Sequence, residues 1–168
     1  MRKLGIVLVL ILGLIATSCS REEMITPTLE VSMPDLGLAN ETDWTLANQI
    51  LGYVNNFRTD MGLEPLIMET TTSTALAVSH SKYMIEQNKI SHDNFSERAT
   101  ILGNEGAQAV GENVAFGFND AEEVVNAWIN SPSHRDTLEG NYTHVGIGIQ
   151  EDKFNGLVKY ITFLTTRK

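Results

Sequence analysis

Two apolar stretches near the C-terminus constrain this chain more than any other feature. Val145, Ile147 and Ile149 alternate with His144, Gly146 and Gly148, the period of a strand with one branched face and one bare face. After a turn near Glu151 to Gly156 comes a second strand, residues 158–165. It is apolar on both sides, with Tyr160 and Leu164 on one face and Ile161 and Phe163 on the other. A strand of that kind needs cover on both faces of its sheet.

Helical periodicity earlier in the chain supplies the cover. Ala47, Ile50, Leu51, Val54, Phe57 and Met61 recur at helical spacing, with Thr42 or Asp43 as the N-cap and Gly62 as the stop. A second helix is predicted over about 71–88, with Leu76, Ala77, His80, Ser81 and Met84 on its stripe, and a short one over 96–102. Asp120 and Glu123 form a capping box ahead of Val124, Val125, Trp128 and Ile129, and Pro132 ends that helix. Residues 111–118 supply another short strand. Helices early and a hairpin late point to an α+β sandwich and not to βαβ repetition.

The N-terminus reads as an address. Arg2 and Lys3 precede an unbroken apolar run over residues 4–15. Twelve helical residues reach about 18 Å, short of a hydrocarbon core of about 30 Å. Ala16, Thr17, Ser18 and then Cys19 complete the parts of a secretory signal. Cys19 is the sole cysteine, and the string before it resembles a lipobox with Ala16 where Leu is usual. The expectation is a lipoprotein signal peptide over 1–18, with lipidation of Cys19 as the partner interaction with a membrane. Each buried acyl methylene there contributes about 0.8 kcal/mol. Residues 19–41, with Pro27 and Pro34 and no apolar period, read as a flexible tether. The folded domain is expected over 42–168. Ser20-Arg21-Glu22-Glu23 is similar to acidic signals that send some lipoproteins to the cell surface. The protein is therefore expected to be exported and lipid-anchored in the envelope, at the outer membrane or cell surface.

Composition removes other classes. Asp plus Glu (21) outnumber Lys plus Arg (12), for a net charge of −9, so no basic nucleic-acid footprint exists. One cysteine excludes an intrachain disulfide framework and a Cys-based zinc cluster.

Four histidines and one glutamate remain as candidates for chemistry. His80, in an apolar helical stripe, reads as a hydrogen-bonded structural residue. His92 sits in Ser91-His92-Asp93 just past a helix end, where loops carry function. His144 shares its strand face with Gly146 and Gly148, and the bare face holds either a ligand or closely packed backbone. Glu112, among small and apolar neighbours, needs a partner if buried; a histidine, a metal or backbone N–H groups would serve. Ser131-Pro132-Ser133-His134-Arg135 reads as a helix break followed by a new cap, with His134 a packing residue and Arg135 holding a carboxylate or carbonyls.

In order, these strings resemble the CAP superfamily: cysteine-rich secretory proteins, antigen 5 and pathogenesis-related proteins, with bacterial SCP-like relatives. The pieces are Asn55-Asn56-Phe57-Arg58, Leu63-Glu64-Pro65-Leu66, residues 75–84, Ser91-His92-Asp93 and Gly111-Glu112-Asn113-Val114. They continue through residues 128–135 and Tyr142-Thr143-His144-Val145-Gly146-Ile147-Gly148. The resemblance implies an α-β-α sandwich with a central antiparallel sheet flanked by helices, and a large cleft. Animal and plant members place two histidines and two glutamates there. His92 and His144 match the histidines, Glu112 matches one glutamate, and Ser131 stands where the second would be. Ser131 and His134 are counted with them as cleft residues.

Such a set could hold Zn²⁺ or another divalent cation through His92, His144 and Glu112, with imidazoles at about 2.0–2.1 Å. If Glu112 is a ligand, no general base remains; if it is the base, only two ligands remain. The favoured expectation is a non-catalytic module binding a small molecule, lipid, glycan or peptide. A metal-assisted hydrolase and a structural or adhesive lipoprotein with a vestigial cleft are the alternatives.

Overall fold

Strand β4 (Val158–Arg167) lies inside the sheet, with β3 (His144–Asp152) antiparallel on one side and β2 (Ala109–Phe116) antiparallel on the other. A computed structural model describes residues 32–168; Cys19, the leader and most of the tether lie outside the described residues. The strand order is β1-β3-β4-β2, where β1 is only Ile67–Met68 and pairs parallel to β3. The two-sided apolar pattern of β4 is thereby explained. Ile161 and Phe163 join one core with α1 (Trp44–Asp60), α4 (Ala121–Ile129) and α5 (Pro132–Glu139). Leu164 joins a second with Leu76 and Ala77 of α2 (Thr72–Glu86) and Ile101 and Leu102 of α3 (Phe95–Asn104). The architecture is a helix–sheet–helix sandwich, as expected. The sheet departs from fully antiparallel only in β1, whose two residues are too short to carry a period.

Local chemistry sets the elements. Asp43 caps α1 by accepting the Leu46 N–H at 3.1 Å, and Gly62, at φ +73°, follows the helix end. Asp120 Oδ1 accepts the Glu123 N–H at 3.1 Å at the start of α4. Pro132 does not merely end α4: it opens α5, where its missing N–H costs nothing. Arg58, 2% exposed, donates to the carbonyls of Glu64, Leu138, Gly140 and Tyr142, and so fixes the chain between α5 and β3.

The bare face of β3 is filled by backbone. A Cβ added at Gly146 would come within 2.2 Å of the Ser73 carbonyl carbon, and one at Gly148 within 2.1 Å of that of Ala77. Glycine here lets α2 lie directly on the sheet. Packed structure also begins before residue 42. Residues Leu36–Glu41, read from sequence as the end of the tether, form a 3-10 helix with Ala39 buried, capped by Asp35. Thr42 closes the nearby sheet edge: its hydroxyl donates to the Ile147 carbonyl at 2.9 Å and accepts the Ile149 N–H at 3.0 Å.

Candidate functional site

Glu112 lies opposite Leu164 in the β2–β4 register, so it points to the α2–α3 side of the sheet. Its side chain is 1% exposed, and a bare charge there would be expensive. Arg98 on α3 meets it with two charge-assisted bonds, Nε to Oε2 and a terminal nitrogen to Oε1, each 2.8 Å. His92 Nδ1 adds a third contact, to Oε1 at 2.9 Å. Of the partners proposed from sequence, the histidine is present; the dominant one, Arg98, was missed. The available signal was a lone arginine in a short helix close ahead of a carboxylate that had to be buried.

The segment carrying His92 is fixed from three sides. His80 Nε2 contacts the Ser91 carbonyl at 2.8 Å, so this nitrogen carries the proton. The Tyr83 hydroxyl donates to Asp93 at 3.1 Å, and Arg98 donates to the Asp93 carbonyl at 2.8 Å. His80 is thus the structural histidine the sequence suggested. Burial holds its pKa below the ordinary value, with the nearby Arg98 charge acting in the same direction. His92, held by this frame, keeps its side chain 52% exposed.

Besides the buried His80, the imidazole that interacts with His92 is His134, not His144. His134 stands in the first turn of α5, where Asn113 Nδ2 donates to its carbonyl at 2.9 Å. Burial lowers its pKa, and the closeness of His92 lowers it further. His144 opens β3 and contacts its own neighbour, Thr143 Oγ1, at 2.8 Å. Its register partner on β4 is Thr166, whereas Glu112 lies opposite Leu164 on the far strand. Two strand spacings and two residues of rise separate the backbones of His144 and Glu112 by about 12 Å. The expected convergence of His92, Glu112 and His144 therefore does not occur: α2 packs on the glycines of β3 and occupies the face between them.

The sequence-expected metal set is tested by the same geometry. Both oxygens of Glu112 are engaged by Arg98, whose permanent positive charge repels a cation. Among the described residues no group of three or more His, Cys, Asp and Glu side chains is arranged to hold a metal ion. The trio named from sequence does not fit one.

Next to His134 runs a groove of about 350 Å³. Ile90 borders it on the His92 side, Phe116 and Phe118 at one end, and Trp128, Ser131 and His134 on the α4–α5 side. Ser131 is the N-cap residue of α5 but makes no side-chain capping bond, and no hydrogen bond joins it to His134 among the described residues. The Asn113 Oδ1 atom beside His134 is buried without a partner.

Comparisons with known proteins agree with this architecture. The chain is 35% identical to the membrane protein YlbC of Bacillus subtilis strain 168 over 112 residues, 62% of this chain and 32% of YlbC. It is 33% identical to YkwD of the same organism over 108 residues, 61% of this chain and 42% of YkwD. The chain thus spans less than half the length of these relatives. An extracellular SCP-domain protein of Bacillus anthracis superposes with a TM-score of 0.61 at 30% identity, over 72% of this chain and 40% of that one. An outer surface protein of Borrelia burgdorferi shares the fold at a TM-score of 0.63 and 22% identity, over 74% of this chain and 93% of its own. The sequence model of the cysteine-rich secretory protein family matches residues 51–164. With that match covering most of the chain, and the two-sided sheet cover in place, the protein belongs to the CAP family.

Proposed function

We propose that this chain is an exported CAP-domain lipoprotein, held to the envelope through Cys19, that binds a ligand in the groove beside His134 without transforming it. The observation that carries the reading is the engagement of Glu112. A carboxylate clamped by Arg98 and touched by His92 is a poor general base, and among the described residues no carboxylate lines the groove. Export is supported by the relatives, one of them a membrane protein and another an extracellular protein. The apolar walls favour a ligand with at least one apolar face.

The test uses the apolar dye 1-anilinonaphthalene-8-sulfonate as the probe. The exported chain should enhance its fluorescence saturably, and Phe116→Arg should weaken binding at least about tenfold with an unchanged circular dichroism spectrum. Phe116 is 46% exposed, so the charge can be accommodated. No saturable binding, or binding indifferent to Phe116→Arg, removes the groove as the site. Hydrolytic turnover abolished by His92→Ala would replace binding with catalysis. For the anchor, Cys19→Ser should release the protein from membranes.

A further inference from the structure

We propose that the groove takes an extended peptide, which adds to the sheet as a new strand along β2. This rests on the binding function proposed above and names its ligand class. Hydrogen-bond parity along the β2–β4 ladder points to it. Gly117 N–H donates to the Lys159 carbonyl at 3.0 Å, and in the β2–β4 register this makes 117 and 159 a hydrogen-bonded pair. Such pairs alternate along an antiparallel ladder. Residues 115, 113 and 111 therefore bond β4, while Glu112, Val114 and Phe116 turn their N–H and C=O groups away from the sheet. The Trp128 ring agrees: its Nε1–H reaches the outward Val114 carbonyl at 3.2 Å.

The remaining outward groups have no protein partner among the described residues. Yet Glu112 and Val114 are only 8% and 5% exposed. Buried backbone groups are almost always paired, so a recessed edge with open donors and acceptors is unusual. The opposite edge of the sheet makes the contrast. There the Glu69 N–H meets the Val145 carbonyl at 2.7 Å, and Thr42 satisfies Ile147 and Ile149. One edge is sealed by the chain itself; the other keeps open groups, of which the Val114 N–H and the Phe116 N–H and C=O belong to residues lining the groove.

The open groups select the occupant. An acyl chain would fill apolar volume but leave the Glu112 and Val114 N–H groups dry and unbonded. A glycan would bring donors and acceptors against walls formed by Ile90, Phe116, Phe118 and Trp128. A peptide main chain offers both bonding groups at the strand repeat, and its alternate side chains fall on opposite faces. One set would meet the apolar wall, and the other the His92 side. From Glu112 to Phe116 the edge is about 13 Å long, enough for four or five peptide residues. Main-chain bonding of this kind supplies affinity, and the side-chain pockets supply choice.

The experiment is selection of a random linear heptapeptide library on the full exported chain. Phe116→Arg and, separately, Ala127→Trp, an exposed groove position on α4, serve as counter-selections. Peptides that need the open groove should emerge. In synthetic copies, N-methylation at alternate residues should weaken binding at least tenfold, and at the intervening residues should not. Amide exchange at Glu112 and Val114 should slow at least tenfold on binding. If no groove-dependent peptide emerges, or methylation at every position is tolerated equally, the strand-addition inference is overturned. Dye binding that survives such a result leaves the binding function standing; loss of both removes the two together.

Discussion

Arg98 and Glu112 meet side-on across the α3–β2 junction, both carboxylate oxygens taken by one guanidinium at 2.8 Å. Each side chain is almost fully withdrawn from solvent, at 7% and 1% exposure. The pair therefore does two things at once. It neutralises the only carboxylate hydrogen-bonded to His92 among the described residues, and it carries the backbone of the segment displaying that histidine, through the bond from Arg98 to the Asp93 carbonyl.

Breaking the pair from one side should be worse than removing it. Glu112→Gln or Arg98→Met alone leaves a buried polar or charged group without its partner, at a cost of about 3–5 kcal/mol. The double variant should recover at least a third of that loss. Urea unfolding of the two singles and the double checks it; additive costs would mean that the two residues act independently.

Acid should loosen the fold around His80. Its folded pKa is depressed, from an ordinary 6.5, first by burial and then by Arg98; His92 adds to this, while Glu112 and the Ser91 carbonyl oppose it. His134 is shifted the same way by burial and His92. Between the folded and unfolded pKa values the unfolded chain binds more protons, so the contribution of these two histidines is constant above a pH of about 6.5 and is lost below it. Thermal unfolding at pH 7.5, 6.0 and 5.0 should show the decline, and His80→Gln should flatten it. An unchanged slope in that variant would exclude His80 as a cause.

The glycines of β3 make an opposite pair of expectations. Gly148→Ala drives a methyl into the α2 backbone at Ala77, which cannot withdraw without lifting the helix, so a loss at the upper end of about 1–3 kcal/mol or beyond is expected. Gly103→Ala in α3 meets nothing within 4 Å and should gain about 0.5–1 kcal/mol from helix propensity. Chemical denaturation of both separates close approach from backbone freedom.

Zinc discriminates between the two histidine assignments. Any rise in melting temperature on adding zinc should vanish in His134→Ala and persist in His144→Ala, because His134, unlike His144, lies close enough to His92 to feel its charge. Protonation of imidazole should abolish the effect by about pH 5. Loss of the rise in His144→Ala would contradict this geometry.

Much of the architecture could be read ahead of the structure, for physical reasons that differ by element. β4 announced itself because a strand covered on both faces leaves no polar face; α1 and α4 did so through caps and a helical period. The parallel β1 was silent, since two residues have no period to show. In the site, the need of Glu112 for a partner followed from burial alone, but which partner did not. Nothing in the short helical stretch over 96–102 says that Arg98 turns inward, as it does in the fold. His144 was set beside His92 by the resemblance; its two neighbouring glycines allowed a ligand or closely packed backbone, and the structure fills that face with α2. His134 was placed in the cleft by resemblance, and its closeness to His92 becomes visible only once Pro132 is recognised as opening α5.

The recess around β2 also restricts who can reach it. A strand joining β2 must pass beside Ile90 and the α4–α5 residues Trp128, Ser131 and His134 that line the groove. A chain end, a severed fragment or a stretch still waiting to fold meets that demand with no sheet of its own to disrupt.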